Sequence, residues 1–302
     1  MTRRGALLFA AMCLIWGIPY LLIKVAVDDL SPAALVLGRT AIAALLLLPI
    51  AAYRRELRPV LPFWIPLVAF AAIEIALPWV LLGAAETQVS SSLTGLLIAA
   101  VPLVATLIAT TTGAERLRPT TGLGLALGVV GVAAIVGVNV EGAHVLPLAE
   151  IGVVAVCYAV GPAILQRWLA GLPALGVIAL SLLLTTIVYA PIAAFRLPDE
   201  TPSAAALASV IGLAVVCTAV AFLLFFALIG EIGPVRATVI TYVNPAVAAA
   251  LGVLVLSERF TLGMGIGFAL VLAGSVLATR RAAAPAPGSL DASYPGSDSI
   301  AG

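Results

Sequence analysis

The sequence predicts an all-α integral membrane protein: ten transmembrane helices arranged as two inverted five-helix repeats. Three observations lead there. Of 302 residues, 63% are apolar and 10% charged, and the mean hydropathy is +1.22. A typical soluble domain carries about 25% charged residues. Ten apolar runs approach the ~20 residues that a helix needs to cross the hydrocarbon core. A block that opens on proline and closes on Glu-Arg occurs twice, as "PLVATLIATTTGAER" from Pro102 to Arg116 and as "PAVAAALGVLVLSER" from Pro245 to Arg259, 143 residues apart.

The ten runs cover residues 5–27, 32–53, 62–83, 88–111, 120–138, 147–168, 172–195, 204–230, 236–256 and 260–279. Short connections such as "DDLSP", "RRELRP", "GAERLRP" and "RLPDETP" hold the turn residues and most of the charge. The first run is too long for the h-region of a signal peptide, about 7–15 residues, and ends in Asp28-Asp29, so it reads as a retained span. If the N-terminus is cytoplasmic, that side holds Arg3, Arg4, Arg54, Arg55, Arg58, Arg116, Arg118, Arg167, Arg236, Arg280 and Arg281, and the other holds Lys24, Arg39, Arg196 and Arg259. That bias puts both termini inside. Residues 280–302, rich in Ala, Pro, Gly and Ser, read as a disordered cytoplasmic tail.

The doubled block belongs to a longer repeat. At the same offset Gly122 meets Gly265, Gly124 meets Gly267, Gly131 meets Gly274 and Pro19 meets Pro162. The chain therefore divides into residues 5–138 and 147–279, five spans each. Five is odd, so the second unit inserts upside down. Glu115-Arg116 is expected at the cytoplasmic face and Glu258-Arg259 at the outer one. Inverted repeats of this kind recur in secondary transporters, where two related packings give inward-open and outward-open states.

Further residues support the same view. Trp16-Gly17 followed by Lys24 in span 1, Arg39 in span 2 and the twin Pro…Glu-Arg block resemble the EamA-type family of the drug/metabolite transporter superfamily over nearly the whole ordered chain. The resemblance implies an inner-membrane carrier of small metabolites, amino acids or drugs, most often an exporter. It also implies a cavity between the halves, lined chiefly by spans 3, 4, 8 and 9. The second repeat departs from the first, with Tyr158-Ala159 near the Trp16-Gly17 position and no arginine matching Arg39.

Glu74, in the middle of span 3, is the most informative polar residue. An acidic group at a helix centre costs about 2.5–3.5 kcal/mol on insertion scales. It reads either as a proton-coupling or amine-binding group or as a buried charge that fixes packing. Arg39 is its candidate partner, with snorkelling to the outer surface as the other reading. Lys24 reads as an outer-end anchor. Pro245 interrupts span 9 and Pro102 makes the matching kink in span 4; Tyr242 and Asn244 then reach substrate near the midplane, or neighbouring helices satisfy the kink. The hydroxyls and amide of "QVSSSLTG", residues 88–95, line an outer vestibule or bond across helices. Glu115 and Glu258 read as structural, each placed before the positive end of the helix that follows. Small-residue faces at Gly124/Gly128 and Gly263/Gly267 read as spans 5 and 10 packing together or on a second copy. Trp16, Tyr20, Trp79 and Tyr158 are candidates for stacking on a solute.

The remaining function classes fare worse. Net charge is +1 and no basic patch appears, so nucleic acid is not an expected partner; lipid and a small-molecule substrate are. Cys13, Cys157 and Cys217 lack metal or disulfide spacing, and His144 is alone in a loop, so neither a metal nor a cofactor is expected. No Walker-type loop is present, and no nucleophile-base pair, so the chain does not read as an ATP-driven pump or an enzyme. A non-transporting membrane scaffold is the competing reading, and both a monomer and a homodimer fit.

Overall fold

In the computed structural model, residues 2–114, 116–137, 145–195 and 201–279 are described, and among them every regular element is helical. Glu115, His144, Arg196 and the 280–302 tail lie outside the described residues. Among the described residues, nine helices are long and apolar enough to cross a membrane: Arg3–Ala26, Pro32–Tyr53, Leu61–Glu86, Ser91–Thr111, Pro119–Gly137, Val145–Trp168, Ala174–Ala194, Ala204–Ile232 and Leu262–Thr279. A shorter apolar helix, Ile240–Leu256, has 17 residues. In chain order these are spans 1 to 10, with Ile240–Leu256 as span 9. At 1.5 Å per residue span 9 rises about 25 Å, and the short helix Pro234–Ala237 leads into it. Leu45, Val129 and Leu254 are 73%, 70% and 79% exposed. Such an apolar exterior suits lipid rather than water.

Helix ends follow from local chemistry. The side chains of Thr2, Ser31, Ser90 and Ser203 accept from the backbone N–H three residues on and start spans 1, 2, 4 and 8. Ser257, at φ 55°, turns the chain out of span 9. Asp29 Oδ2 accepts from Ser203 N at 2.9 Å and joins the turn after span 1 to the start of span 8. The Ser203 hydroxyl, then its N–H, hold the Asp29 carboxyl below the usual range. That contact therefore persists at neutral pH and is lost as pH falls through the lowered value.

Each span of one repeat packs on a span of the other: 1 on 8, 2 on 7, 3 on 6, 4 on 9 and 5 on 10. This set of pairs is unchanged when the two repeats exchange names, as a pseudo-two-fold axis requires. The 5/10 seam is backbone against backbone. A Cβ added to Gly124 would lie 2.6 Å from Gly274 O, one at Gly131 2.7 Å from Gly267 O, one at Gly267 2.6 Å from Gly131 O and one at Gly274 2.5 Å from Gly124 O. Gly124 and Gly267 are repeat mates, and so are Gly131 and Gly274. Each contact is thus the symmetry image of the other. The numbering rises along span 5 as it falls along span 10, so the two copies run antiparallel. Spans 2 and 7 do the same: Thr186 Oγ1 donates to Thr40 Oγ1 at 3.0 Å, while Gly176 sits against Glu56 O beyond the other end. Copies pointing in opposite directions are what an odd-span repeat demands, and the glycine faces pack within one chain.

The structure revises several local expectations. Span 3 continues to Glu86 and span 9 is regular only from Ile240. Span 4 breaks at Ala99–Ala100, before Pro102, whereas span 9 runs unbroken through Pro245. The two prolines therefore do not make matching kinks. A half-buried Asn244 amide bonds Ile240 O in the turn that precedes Pro245, as described below.

The 5/10 seam gives a direct test. Gly131→Leu should lower the melting temperature of the purified protein, by the equivalent of about 1–3 kcal/mol of overpacking. Gly122→Ala, where an added Cβ meets nothing within 4 Å, should leave it unchanged or raise it slightly.

A polar cluster between twin π-helical turns

Two spans widen at corresponding places. Span 3 forms a π-helical turn over Ala71–Ala76 and span 8 over Val215–Val220. Glu74 lies on the first and its repeat mate Cys217 on the second. The causes differ. In span 3, Pro78 has no N–H for the carbonyl of Glu74 and its ring crowds that carbonyl. In span 8, the Thr218 hydroxyl donates to Leu213 O, five residues back, at 2.8 Å. A wide turn leaves carbonyls accessible, and Tyr189 OH of span 7 donates to Ala76 O at 3.0 Å. Such bulges are frequent at functional sites.

Arg39 of span 2 spans the space between the two turns. It is 7% exposed. Its Nε donates to Thr218 Oγ1 at 3.0 Å, and its Cζ lies 3.5 Å from the Trp79 ring centroid. Hydrogen bonds of charged groups contribute about 1.5–3 kcal/mol and a desolvated cation–π contact up to about 2 kcal/mol. Neither supplies a counter-charge. Cys217, Tyr158 and Tyr20 are its electrostatic neighbours. No ion pair joins Arg39 to Glu74 among the described residues, so the expected partnership is not made.

Glu74 instead faces span 6. A Cβ on Gly161 would fall 1.9 Å from Glu74 Oε2, so the carboxylate occupies room that only glycine leaves. That oxygen is sealed and has no hydrogen-bond partner. Cys157 and Tyr158, one turn earlier on span 6, are within electrostatic reach. A buried carboxylate oxygen without a donor is costly, and that cost marks Glu74 out from the surrounding packing.

A solved structure described only as "Crystal structure of protein" matches with a TM-score of 0.65 and 21% identity, covering 91% of this chain and 96% of that one. At that identity the likeness speaks for the fold. No curated protein matches in sequence. The EamA-like transporter family profile matches residues 3–137 and 151–280. The chain belongs to the EamA-like transporter family. It is accordingly a multi-pass membrane protein of a transporter family, and its two family-matched segments follow the repeat.

In this EamA-family chain the candidate residues fall into three groups. Arg39, Glu74, Trp79, Tyr20 and Tyr158 gather around the π-helical turns, with Tyr20 and Tyr158 in one apolar cluster. Trp16 lies in a second aromatic group, its ring centroid 4.7 Å from Phe225 and 5.9 Å from Phe222. Tyr242 and Asn244 stand apart. Tyr242 is two residues into span 9, with its hydroxyl 3.5 Å from Thr279 Oγ1 at the end of span 10. With its amide oriented to suit its surroundings, Asn244 donates to Ile240 O at 2.9 Å and Cys13 O at 3.1 Å. It thereby ties span 9 to the carbonyl left over where span 1 breaks at Trp16–Ile18.

Two charged residues act otherwise than their sequence context implied. Lys24 does not extend toward headgroups: its Nζ donates to Glu86 O at 2.6 Å and Val89 O at 3.2 Å, closing the end of span 3. Glu258 does sit at the positive end of a helix, but of span 4 rather than span 10. Its Oε1 accepts from Ser91 N at 2.8 Å and Ser91 Oγ at 3.0 Å, and its Oε2 from Ser92 N at 2.8 Å. Gly252 leaves room for this contact, since an added Cβ would be 2.3 Å from Glu258 Oε2. The Ser91 and Ser92 hydroxyls accordingly bond across helices, the latter to Ala249 O at 3.3 Å, while Ser90 and Thr94 bond within span 4. Glu86 was not anticipated at all. It is 0% exposed, and both carboxylate oxygens lack partners. Its position in "GAAETQ" looked like a span end open to water.

Gly161→Ala should clash with Glu74 and destabilise the protein by about 1–3 kcal/mol. Glu74→Ala in the same chain should relieve most of that loss, with a coupling energy of about 0.5–3 kcal/mol in a double-mutant cycle followed by thermal unfolding in detergent. Additive effects would show that the two residues do not touch.

Proposed function

We propose that this chain is a secondary transporter of small organic solutes, working by alternating access between its two inverted repeats and exporting across the cytoplasmic membrane with both termini inside. The observation that carries this reading is Glu74: a carboxylate with a sealed, unpartnered oxygen on a π-helical turn, pressed against the opposite repeat at Gly161. An intramembrane acid so placed is suited to bind and release a proton as the repeats move. The energy source is then a proton gradient, and the solute passes the cluster formed by Arg39, Trp79, Tyr20 and Tyr158.

The repeat-to-repeat contacts at the two ends support the cycle. In the proposed orientation the outer end is fastened by Glu258 on Ser91 and Ser92 and by Asp29 on Ser203. The inner end is fastened by the Thr2 hydroxyl donating to Glu231. These are a few hydrogen bonds at each end, each between a span of one repeat and a span of the other. Opening one end while the other stays closed breaks one set and keeps the other, so the two states lie close in energy. This is the condition for alternating access.

The test is flux in proteoliposomes with an imposed pH gradient, screened against a metabolite mixture. The wild-type chain should move at least one solute in a gradient-dependent way. Glu74→Gln, which keeps the shape and removes the charge, should reduce gradient-driven flux at least tenfold while leaving the melting temperature within a few degrees. Undiminished gradient-driven flux in that variant would remove Glu74 from the coupling.

A further inference from the structure

Arg39 presents an unanswered charge. Its guanidinium is more than nine-tenths buried, its Nε is engaged by Thr218 and one face rests on Trp79. Among the described residues neither Nη hydrogen-bonds to any group and no carboxylate lies within ion-pair distance. Nor are these nitrogens among the sealed polar atoms that lack partners, a set that includes Glu74 Oε2 and both Glu86 oxygens. The residual exposure of the residue, 7%, therefore includes the end that carries the free donors. A buried cation without an anion is strongly unfavourable. A planar fork of N–H groups matches a carboxylate in two parallel hydrogen bonds, which a point charge cannot reproduce.

We propose that the Nη face of Arg39 is the receptor for the carboxylate of the transported solute. The proposal rests on the transporter reading for the word "transported" and on Arg39 alone for the word "carboxylate". Thr218 and Trp79 fix the guanidinium from two sides, so its free edge points one way before any solute arrives. That pre-organisation lowers the ordering cost of binding. The Trp79 ring lies against the cation and Tyr20 and Tyr158 are its electrostatic neighbours, with no acid among the groups so placed. Aromatic walls give an organic acid apolar contact, which an inorganic anion does not use. The second repeat has Leu182 where the first has Arg39, so there is one such receptor in the pair of halves, and a single solute orientation is selected.

Equilibrium binding tests this separately from flux. Full-length protein in detergent, with Trp16, Trp64 and Trp168 changed to phenylalanine, leaves Trp79 as the sole tryptophan reporter. Acetate, phenylacetate and phenylalanine are each titrated against the matching carboxamide, with a chloride titration alongside. At least one carboxylate should change Trp79 emission saturably, with its carboxamide at least tenfold weaker. Arg39→Gln should abolish the difference, and Arg39→Lys should weaken carboxylate binding about tenfold. If no acid outcompetes its amide, if chloride alone saturates the response at equal concentration, or if Arg39→Gln retains the preference, the proposal fails. The acid–amide comparison on the Trp79-only protein with Arg39 intact decides the matter even if the Arg39 variants do not fold. Selective binding without any gradient-driven flux would defeat the transporter reading and leave the receptor standing. Gradient-driven flux without acid selectivity would do the reverse.

Discussion

Hydrocarbon offers no hydrogen bonds, so every backbone group that a broken helix releases must find a partner inside the protein. Most of the polar side chains within this chain's spans can be understood from that constraint. Asn244 engages Cys13 O where span 1 breaks. Tyr189 engages Ala76 O on one π-helical turn, and Thr218 engages Leu213 O on the other. Lys24 holds two carbonyls at the end of span 3, and Glu258 holds two N–H groups at the start of span 4. Several of these bonds cross between repeats, so the repair of local defects also joins the halves. Against this background the sealed, unpartnered oxygens of Glu74, Glu86 and Glu150, with the Ser181 and Ser275 hydroxyls, are exceptions, and Arg39 is a cation with donors to spare.

Duplication supplied the architecture, and divergence supplied the chemistry. The 5/10 seam kept its glycines in both copies because a Cβ on either side would strike backbone, which cannot move aside as a flexible side chain can. The π-helical turns were kept in shape but not in sequence. Glu74 corresponds to Cys217 at the repeat offset, Ile75 to Thr218, Trp79 to Phe222 and Arg39 to Leu182. The acid and the cation both belong to the first repeat, and the hydroxyl that steadies the cation belongs to the second. On the transport reading proposed above, the symmetry serves to give two packings of similar energy, and the asymmetric cluster is the one polar centre they expose in turn.

How much of this was legible depended on whether the signal was local. Apolar run length, proline and charge placement marked the spans, and a constant offset revealed the repeat. Its odd span count then required the antiparallel seam between Gly124–Gly131 and Gly267–Gly274. The π-helical turns left no periodic trace, because one extra residue in a uniformly apolar helix changes no pattern. The target of Glu258 lies 167 residues back in sequence at Ser91, and only tertiary packing selects span 4 over the adjacent span 10. Gly161 looked like any other small residue until the position of Glu74 gave it a neighbour. Cys217 was within reach of the sequence, since the repeat offset from Glu74 lands on it.

Glu74 and Glu86 differ in a way that bears on which of them can work. Glu86 lies fully buried at the end of span 3, beside the Lys24 ammonium and the Glu258 carboxylate, within electrostatic reach of both. Its surroundings are the end of the molecule that Glu258 fastens to span 4, and Lys24 is held there by two backbone carbonyls. Glu74 lies on a widened turn against a glycine of the opposite repeat, where a small shift of span 3 on span 6 changes what the carboxylate meets. Packed interfaces move between discrete arrangements rather than deforming continuously, so a carboxylate set at such an interface changes environment in a single step when the halves rearrange. The proposed proton carrier needs that step, and of Glu74 and Glu86 it is Glu74 that meets the opposite repeat across a glycine.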